Sequence, residues 1–261
     1  MRSKLLILLL FSAGFTSFTL AQKVDSIKHI NLFSGSAGVT QNGISLIPTF
    51  SLNKPAAMFK MSLGKKKFSF DPEFNFSLGA KPWYFLFWFR YKLITNEKFR
   101  MNVGTHLGLN FKSTEIPLNS IPTEVTVADR YVVLEIAPNY FVTKHISIGI
   151  YYLNSHGLDV GTVGTTNFLT LNANFSNVKL SDKFFMKITP QVYYLKMDQN
   201  DGFYFTAAFT LAKRDFPLSL SSVMNKVIET NIAASKDFVW NITDDRESGK
   251  FLLTKVNADV R

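Results

Sequence analysis

Ionisable side chains occupy one face of several long segments in which polar and apolar residues alternate. Such groups could line a selective passage or bind a charged ligand, or they could pair with one another across neighbouring segments. We favour paired charges, because a wall of low dielectric constant makes an unpaired charge costly. The candidate residues for either arrangement are Glu73, Arg90, Arg100, His106, Glu135 and Lys187.

A second set of residues that could do chemistry lies in the segment NSHGLD. Ser155 and His156 precede Asp159 there, and serine, histidine and aspartate are the residue types of a hydrolytic nucleophile with its base and orienting carboxylate. Adjacent residues of a strand point to opposite faces, so Ser155 and His156 are poorly placed to share a hydrogen bond. His106 could instead reach a serine on another segment, which spacing alone does not reveal. We therefore assign no catalytic residue.

Metal and cofactor signatures are weak. The four histidines stand far apart, without His-x-x-x-His or Glu-x-x-His spacing, and the chain has no cysteine for a thiolate site or a disulfide. The segment GTVGTT at 161–166 has neither the lysine nor the following helix of a phosphate-binding loop. The sequence predicts neither a metal nor a cofactor.

The first 21 residues have the features of a secretory signal peptide. Arg2 and Lys4 precede the apolar run 5–11, and small residues before Gln22 offer a cleavage site after Ala21. An uncleaved anchor helix is the alternative, although its apolar core would be short. The formal net charge of +10 could suggest a nucleic-acid partner, but export argues against one.

The segment KFRMNVGTHLGLNFK, residues 98–112, shows which elements must position these groups. From Phe99 to Phe111, every second residue is apolar apart from one threonine, whereas the intervening set from Arg100 to Lys112 is polar or small. Only a β-strand sorts its side chains with a period of two.

The same alternation recurs along most of the chain after the first 21 residues. Short connections such as GKKK, TNEK, TK and SDK contrast with long links at 113–125 and 156–163, and 221–235 could be a short helix or an irregular hairpin. We predict about 12 strands (10–14), and the segment 28–40 could add another. The predicted strands are 44–53, 56–64, 66–79, 82–95, 98–112, 126–143, 144–155, 164–179, 183–197, 202–213, one near 216–224 and one near 236–243.

Aromatic residues recur near the ends of these strands, as in the belts at the two interfaces of a membrane. We expect them to point outward. One belt would contain Trp83, Phe111, Tyr152, Tyr194 and Phe203, and the other Tyr91, Phe99, Tyr140 and Phe184.

Long alternating strands, joined by short turns at one end and longer links at the other, resemble outer-membrane β-barrel proteins of Gram-negative-type bacteria. The resemblance implies an all-β, antiparallel transmembrane up-and-down barrel, formed by a single domain at 22–261 in the outer membrane. Its partners would be the lipid bilayer and the outer-membrane assembly machinery, with no nucleic acid and an unknown small-molecule ligand. The last strand departs from the family pattern, since FVWNI is followed by TDDRESGK, so an atypical tail from about 244 is an alternative.

The resemblance implies that the alternating polar face lines a lumen. Because the candidate residues have long side chains, a barrel of about 12 strands should be narrow or filled, with an anion preference if ions pass. We favour a non-enzymatic role as a narrow pore, a surface-binding protein or an envelope-structural protein. A barrel lipid hydrolase is the first alternative, although NSHGLD lacks the His-x-Ser arrangement of such enzymes. A secreted soluble β-sandwich binding module is the second.

Overall fold

The computed structural model describes residues 32–118 and 121–251. They form twelve antiparallel strands and one short 3-10 helix at Pro48–Phe50. The strands are β1 Leu32–Thr40, β2 Ala56–Lys65, β3 Phe68–Ser77, β4 Pro82–Thr95, β5 Phe99–Leu118, β6 Ile121–Phe141, β7 Ile146–Gly157, β8 Thr165–Lys179, β9 Phe184–Met197, β10 Asn200–Lys213, β11 Leu218–Thr230 and β12 Phe238–Phe251.

The sheet closes on itself between its first and last strands. Thr40 of β1 lies opposite Ala56 of β2 on one side and opposite Thr243 of β12 on the other. Every described strand thus has two hydrogen-bonded neighbours, and closure satisfies backbone groups that an open edge would leave unpaired. The prediction of an all-β up-and-down barrel is confirmed.

The two faces of the barrel wall differ as the alternation predicted. Leu107 stands between Phe87 and Val132 on the outside and is 42% exposed. The adjacent His106 stands between Trp88 and Val133 on the inside and is 6% exposed. Large apolar residues are exposed on successive strands, whereas buried polar residues collect inside, as expected of a wall between lipid and a lumen.

The two ends of the barrel also differ. We call the end that carries the connections 66–67, 96–98, 142–145, 180–183 and 214–217 the turn end. The opposite loop end carries 41–55, 78–81, 158–164, 198–199 and 231–237. The predicted short turns thus share one end.

The prediction of a strand at 44–53 is wrong. The first described strand is β1, which lies within the segment 28–40 where a further strand is an alternative. Residues 41–55 form a loop (the plug loop) that folds back on itself, with the Leu52 N–H donating to the carbonyl of Gly43 at 2.7 Å. Asn53 adopts a positive φ of 56°, a backbone conformation that asparagine tolerates and that a strand does not use.

Two other segments differ from the prediction in type. The expected loop 113–125 continues the pairing of β5 with β6, from Lys112 opposite Val127 to Leu118 opposite Ile121, and forms a two-stranded ribbon beyond the barrel wall. The segment 221–235 is no helix: β11 runs to Thr230 and pairs with β12.

Trp83 does not belong to the aromatic belt in which it was expected with Tyr152 and Phe203. Trp83 is only 3% exposed, because its indole ring packs beneath the plug loop instead of facing outward. Tyr152 and Phe203, expected in the same belt, are exposed on the outer face.

The predictions for the two ends of the chain have different outcomes. β12 continues through Phe251, well past the point near 243 where the alternation weakened. The predicted signal peptide at 1–21 lies outside the described residues. Within the described ranges, no helix has the length and apolar content needed to span a membrane.

Candidate functional site: the filled lumen

A packed layer of side chains fills the lumen towards the loop end. We call this layer the lumen core. Tyr193 is central to it, since its ring stacks on Tyr204 with the ring centroids 4.7 Å apart and lies 5.0 Å from the Phe168 ring. Its buried members are Trp88, Tyr131, Val133, Leu153, Phe168, Tyr193, Leu195, Met197, Tyr204 and Ile232.

The plug loop covers the lumen core. Its residues Leu46, Ile47 and Phe50 pack against the layer, and the Phe50 ring lies 5.0 Å from that of Tyr131. These apolar side chains leave water by entering the barrel, which is the hydrophobic contribution that holds the loop inside.

Hydrogen bonds tie the plug loop to β4 and to the loop 231–237. The indole N–H of Trp83 donates to the carbonyl of Phe50 at 2.7 Å. On the opposite side, Lys236 Nζ donates to Asn53 Oδ1 at 2.6 Å. The loop is therefore held from two sides of the barrel.

Below the lumen core, charged side chains of the three strands β3, β4 and β6 form a network. Arg90 Nε lies 2.6 Å from Glu135 Oε1, and Arg90 Nη1 lies 3.2 Å from Asp71 Oδ2. The Tyr151 hydroxyl donates to Glu135 Oε2 at 2.8 Å, and the Ser62 hydroxyl donates to Asp71 Oδ1. One guanidinium is thus paired with two carboxylates whose remaining oxygens are hydrogen-bonded, which offsets the desolvation of the charges.

His106 and Arg90 both contact the ring of Trp88. The His106 ring centroid lies 4.0 Å from that of Trp88, and the Arg90 guanidinium carbon lies 4.1 Å from the Trp88 ring. His106 Nδ1 is buried without a hydrogen-bond partner in the described part of the chain.

The other candidate residues lie apart from this network. Half-buried Glu73 faces Lys60 across the β2–β3 pair. Exposed Arg100 lies near the turn end, with its guanidinium carbon 4.5 Å from the Phe141 ring centroid. Lys187 lines a cavity of about 330 Å³ together with Lys60 and several hydroxyl side chains.

Sequence reasoning did not single out the plug loop, Trp88, Asp71 or Tyr151. Asp71 and Tyr151 each carried a usable signal, because each occupies a polar or amphipathic position in an alternating strand. The plug loop carried no such signal, since its apolar residues suit a strand equally well.

The NSHGLD segment does not form a hydrolytic arrangement. Ser155 is buried on the inside, whereas His156 is exposed on the outside. Asp159 accepts hydrogen bonds from the backbone N–H and the guanidinium of Arg130 instead of orienting a histidine. In the described ranges, no cluster of three or more His, Asp or Glu side chains could hold a metal ion.

Comparison with known proteins gives likeness of fold alone. No protein-family model matches the chain, and no curated protein matches it in sequence. The KdgM porin, solved in complex with disordered oligogalacturonate, is 10% identical to this chain with a TM-score of 0.51. The match covers 82% of this chain and 98% of the porin chain. The NanC porin is 10% identical with a TM-score of 0.47, and LpxR from Salmonella typhimurium is 9% identical with a TM-score of 0.46. The NanC match covers 83% of this chain and 97% of the NanC chain, and the LpxR match covers 82% of this chain and 99% of the LpxR chain.

The closed sheet has a continuous outer surface of exposed apolar side chains. Such a surface is compatible with the hydrocarbon of a lipid bilayer. The KdgM porin shares this architecture over nearly its whole length. The described residues have the fold of outer-membrane β-barrels, with twelve strands.

Proposed function

We propose that this protein is a non-enzymatic outer-membrane barrel with an occluded lumen, acting as a closed or very narrow pore. The observation that supports this most strongly is the lumen core with the plug loop packed over it. A twelve-stranded barrel lies between filled eight-stranded barrels and open porins of 16–18 strands, so side chains and one inserted loop suffice to close it.

Electrostatics support a weak anion preference for any ions that do pass. Arg90 is paired with two carboxylates, those of Asp71 and Glu135, so its charge adds nothing to an anion preference. Lys60 and Lys187 line the cavity towards the turn end, where their ammonium groups would favour anions.

The orientation and partners follow from the same proposal. We place the loop end outside the cell and the turn end in the periplasm, as is usual for barrels with short turns and longer loops at opposite ends. The bilayer surrounds the wall, and we expect the outer-membrane assembly machinery to insert it.

Conductance in planar bilayers tests the proposal. The wild-type protein should show conductance far below that of a general porin, with a reversal potential that indicates weak anion preference. Replacing residues 44–52 with a glycine–serine segment of equal length should raise conductance, because it removes Leu46, Ile47 and Phe50 from the lumen.

A matched control replaces ribbon residues 115–124 in the same way, which leaves the plug loop intact. This variant should conduct like wild type. Large, ohmic, cation-selective currents from the wild-type protein would overturn the proposal.

A further inference from the structure

A cavity of about 140 Å³ lies directly beneath the plug loop. We infer that it binds a small uncharged molecule, about the size of one aromatic ring, that carries a hydroxyl group. Its main lining residues are Phe50, Leu86, Trp88, His106, Tyr131 and Ser155.

The size of the cavity suits one ring. An engineered apolar cavity of roughly 150 Å³ admits benzene and stays free of water, so a volume of this order is enough for a six-membered ring. The surrounding lumen core is closely packed, and the ring centroids of Phe50 and Tyr131 are 5.0 Å apart. The cavity is therefore a shaped gap within a packed layer.

The walls favour a mostly apolar ligand with one polar group. Trp88, Phe50 and Leu86 supply aromatic and aliphatic faces. His106 and Ser155 supply the polar side of the cavity. A ligand hydroxyl can hydrogen-bond with these side chains, whereas a wholly apolar ligand would displace water from them without replacing its hydrogen bonds.

The surrounding charges favour a neutral ligand. Among the described residues that line the cavity there is no carboxylate, lysine or arginine. The neighbouring cation, Arg90, is already bonded to Asp71 and Glu135. A charged ligand would lose its hydration without gaining a counter-charge, which is strongly unfavourable in a low-dielectric site.

The plug loop forms the roof of this site. Ser45, Ile47 and Phe50 line the cavity from the loop side, so a ligand would enter from the loop end when the loop moves. The inference goes beyond the occluded pore, because binding depends on the cavity and not on ion passage.

Fluorine NMR of 4-fluorophenol with the full-length protein in lipid nanodiscs tests the site. We expect saturable broadening of the ligand signal that unlabelled phenol reverses and benzoate does not. Val133→Phe should weaken binding at least about tenfold, because the ring fills a cavity that admits only one ring. Val132→Phe is the matched control, since the neighbouring Val132 is exposed on the outer face.

A second comparison isolates the polar contact. His106→Phe keeps a ring of similar size but removes the ring nitrogens, so 4-fluorophenol should bind about fivefold more weakly while fluorobenzene is unaffected, as expected for one hydrogen bond of about 1 kcal/mol. Ser155→Leu fills the cavity from another strand and serves if Val133→Phe does not fold. Uptake that never saturates and is equal in wild type, Val133→Phe and Ser155→Leu would show partition into lipid and overturn the site. Equal loss of both ligands in His106→Phe would overturn the hydrogen bond.

Discussion

Arg90 of β4 and Glu135 of β6 form an ion pair across the strand that separates them, with Nε 2.6 Å from Oε1. Gly104 of β5 stands between them in register. A methyl group at Gly104 would lie 2.7 Å from Glu135 Oε1, closer than atoms in contact approach. The missing side chain of this glycine therefore allows charges on next-nearest strands to meet.

Loss of this pair should destabilise the barrel. Glu135→Gln leaves the Arg90 charge with Asp71 alone, and we expect a loss of about 2 kcal/mol in the free energy of unfolding, below the roughly 3–5 kcal/mol of a fully buried broken pair because Arg90 is partly solvated. Urea unfolding in lipid vesicles, followed by tryptophan fluorescence, measures it. Glu115→Gln, in the exposed ribbon, is the control. Equal stability of both variants would contradict a stabilising role for the pair.

An arginine should be tolerated on one face of β5 and not on the other. Leu107 faces outward at 42% exposure, so Leu107→Arg should cost about 2–4 kcal/mol near the bilayer midplane. Asn102 faces inward opposite Lys92 and is only half-buried, so water can hydrate a charge there. The folded fraction after refolding into vesicles measures the difference. If Asn102→Arg folds no better than Leu107→Arg, the face assignment is wrong.

The plug loop should loosen when its tie to the wall is removed. Trp83→Phe deletes the donor to the Phe50 carbonyl and leaves that oxygen without its partner, at a cost of roughly 1–3 kcal/mol. The chain has no cysteine, so a single Ile47→Cys reports loop exposure through its rate of labelling by a water-soluble maleimide.

We expect faster labelling of this cysteine in the Trp83→Phe background. Trp240→Phe is the matched control, because Trp240 donates to Ser222 Oγ and is 47% exposed on the outer face, away from the loop. Unchanged labelling in Trp83→Phe would show that the hydrogen bond from Trp83 does not hold the loop.

Acid should release the loop 158–164 from β6. Hydrogen bonds from the Arg130 guanidinium and backbone N–H hold the pKa of Asp159 below its usual range. A lowered folded pKa stabilises the bonded loop above the ordinary aspartate pKa of about 3.9, and that contribution disappears as pH falls through the lower folded value. Hydrogen exchange of residues 158–162, corrected for intrinsic rates, should accelerate below about pH 4.

Asp159→Asn provides the control for this acid effect. The amide cannot titrate, so exchange should be faster than wild type at neutral pH and should show no further step on acidification. A step that persists in Asp159→Asn would assign the acid effect to another group.

The sequence determined the type and the faces of the wall. In β5, alternation from Phe99 to Phe111 sorts side chains by polarity, and the local geometry of a strand converts that order directly into an outside and an inside. The barrel class, the short turns at one end and the outward position of Leu107 followed from this local rule.

The contacts across the lumen were decided by tertiary structure alone. Apolar residues at 44–50 would suit a strand facing lipid, but they leave water equally well inside the barrel, and only the width of the closed lumen and its aromatic layer determine which occurs. Trp83 turns inward for the same reason, since the plug loop supplies a carbonyl for its indole N–H. The pairing of Arg90 with Glu135 required the register of three strands, because residues 45 positions apart meet only when Gly104 is aligned between them.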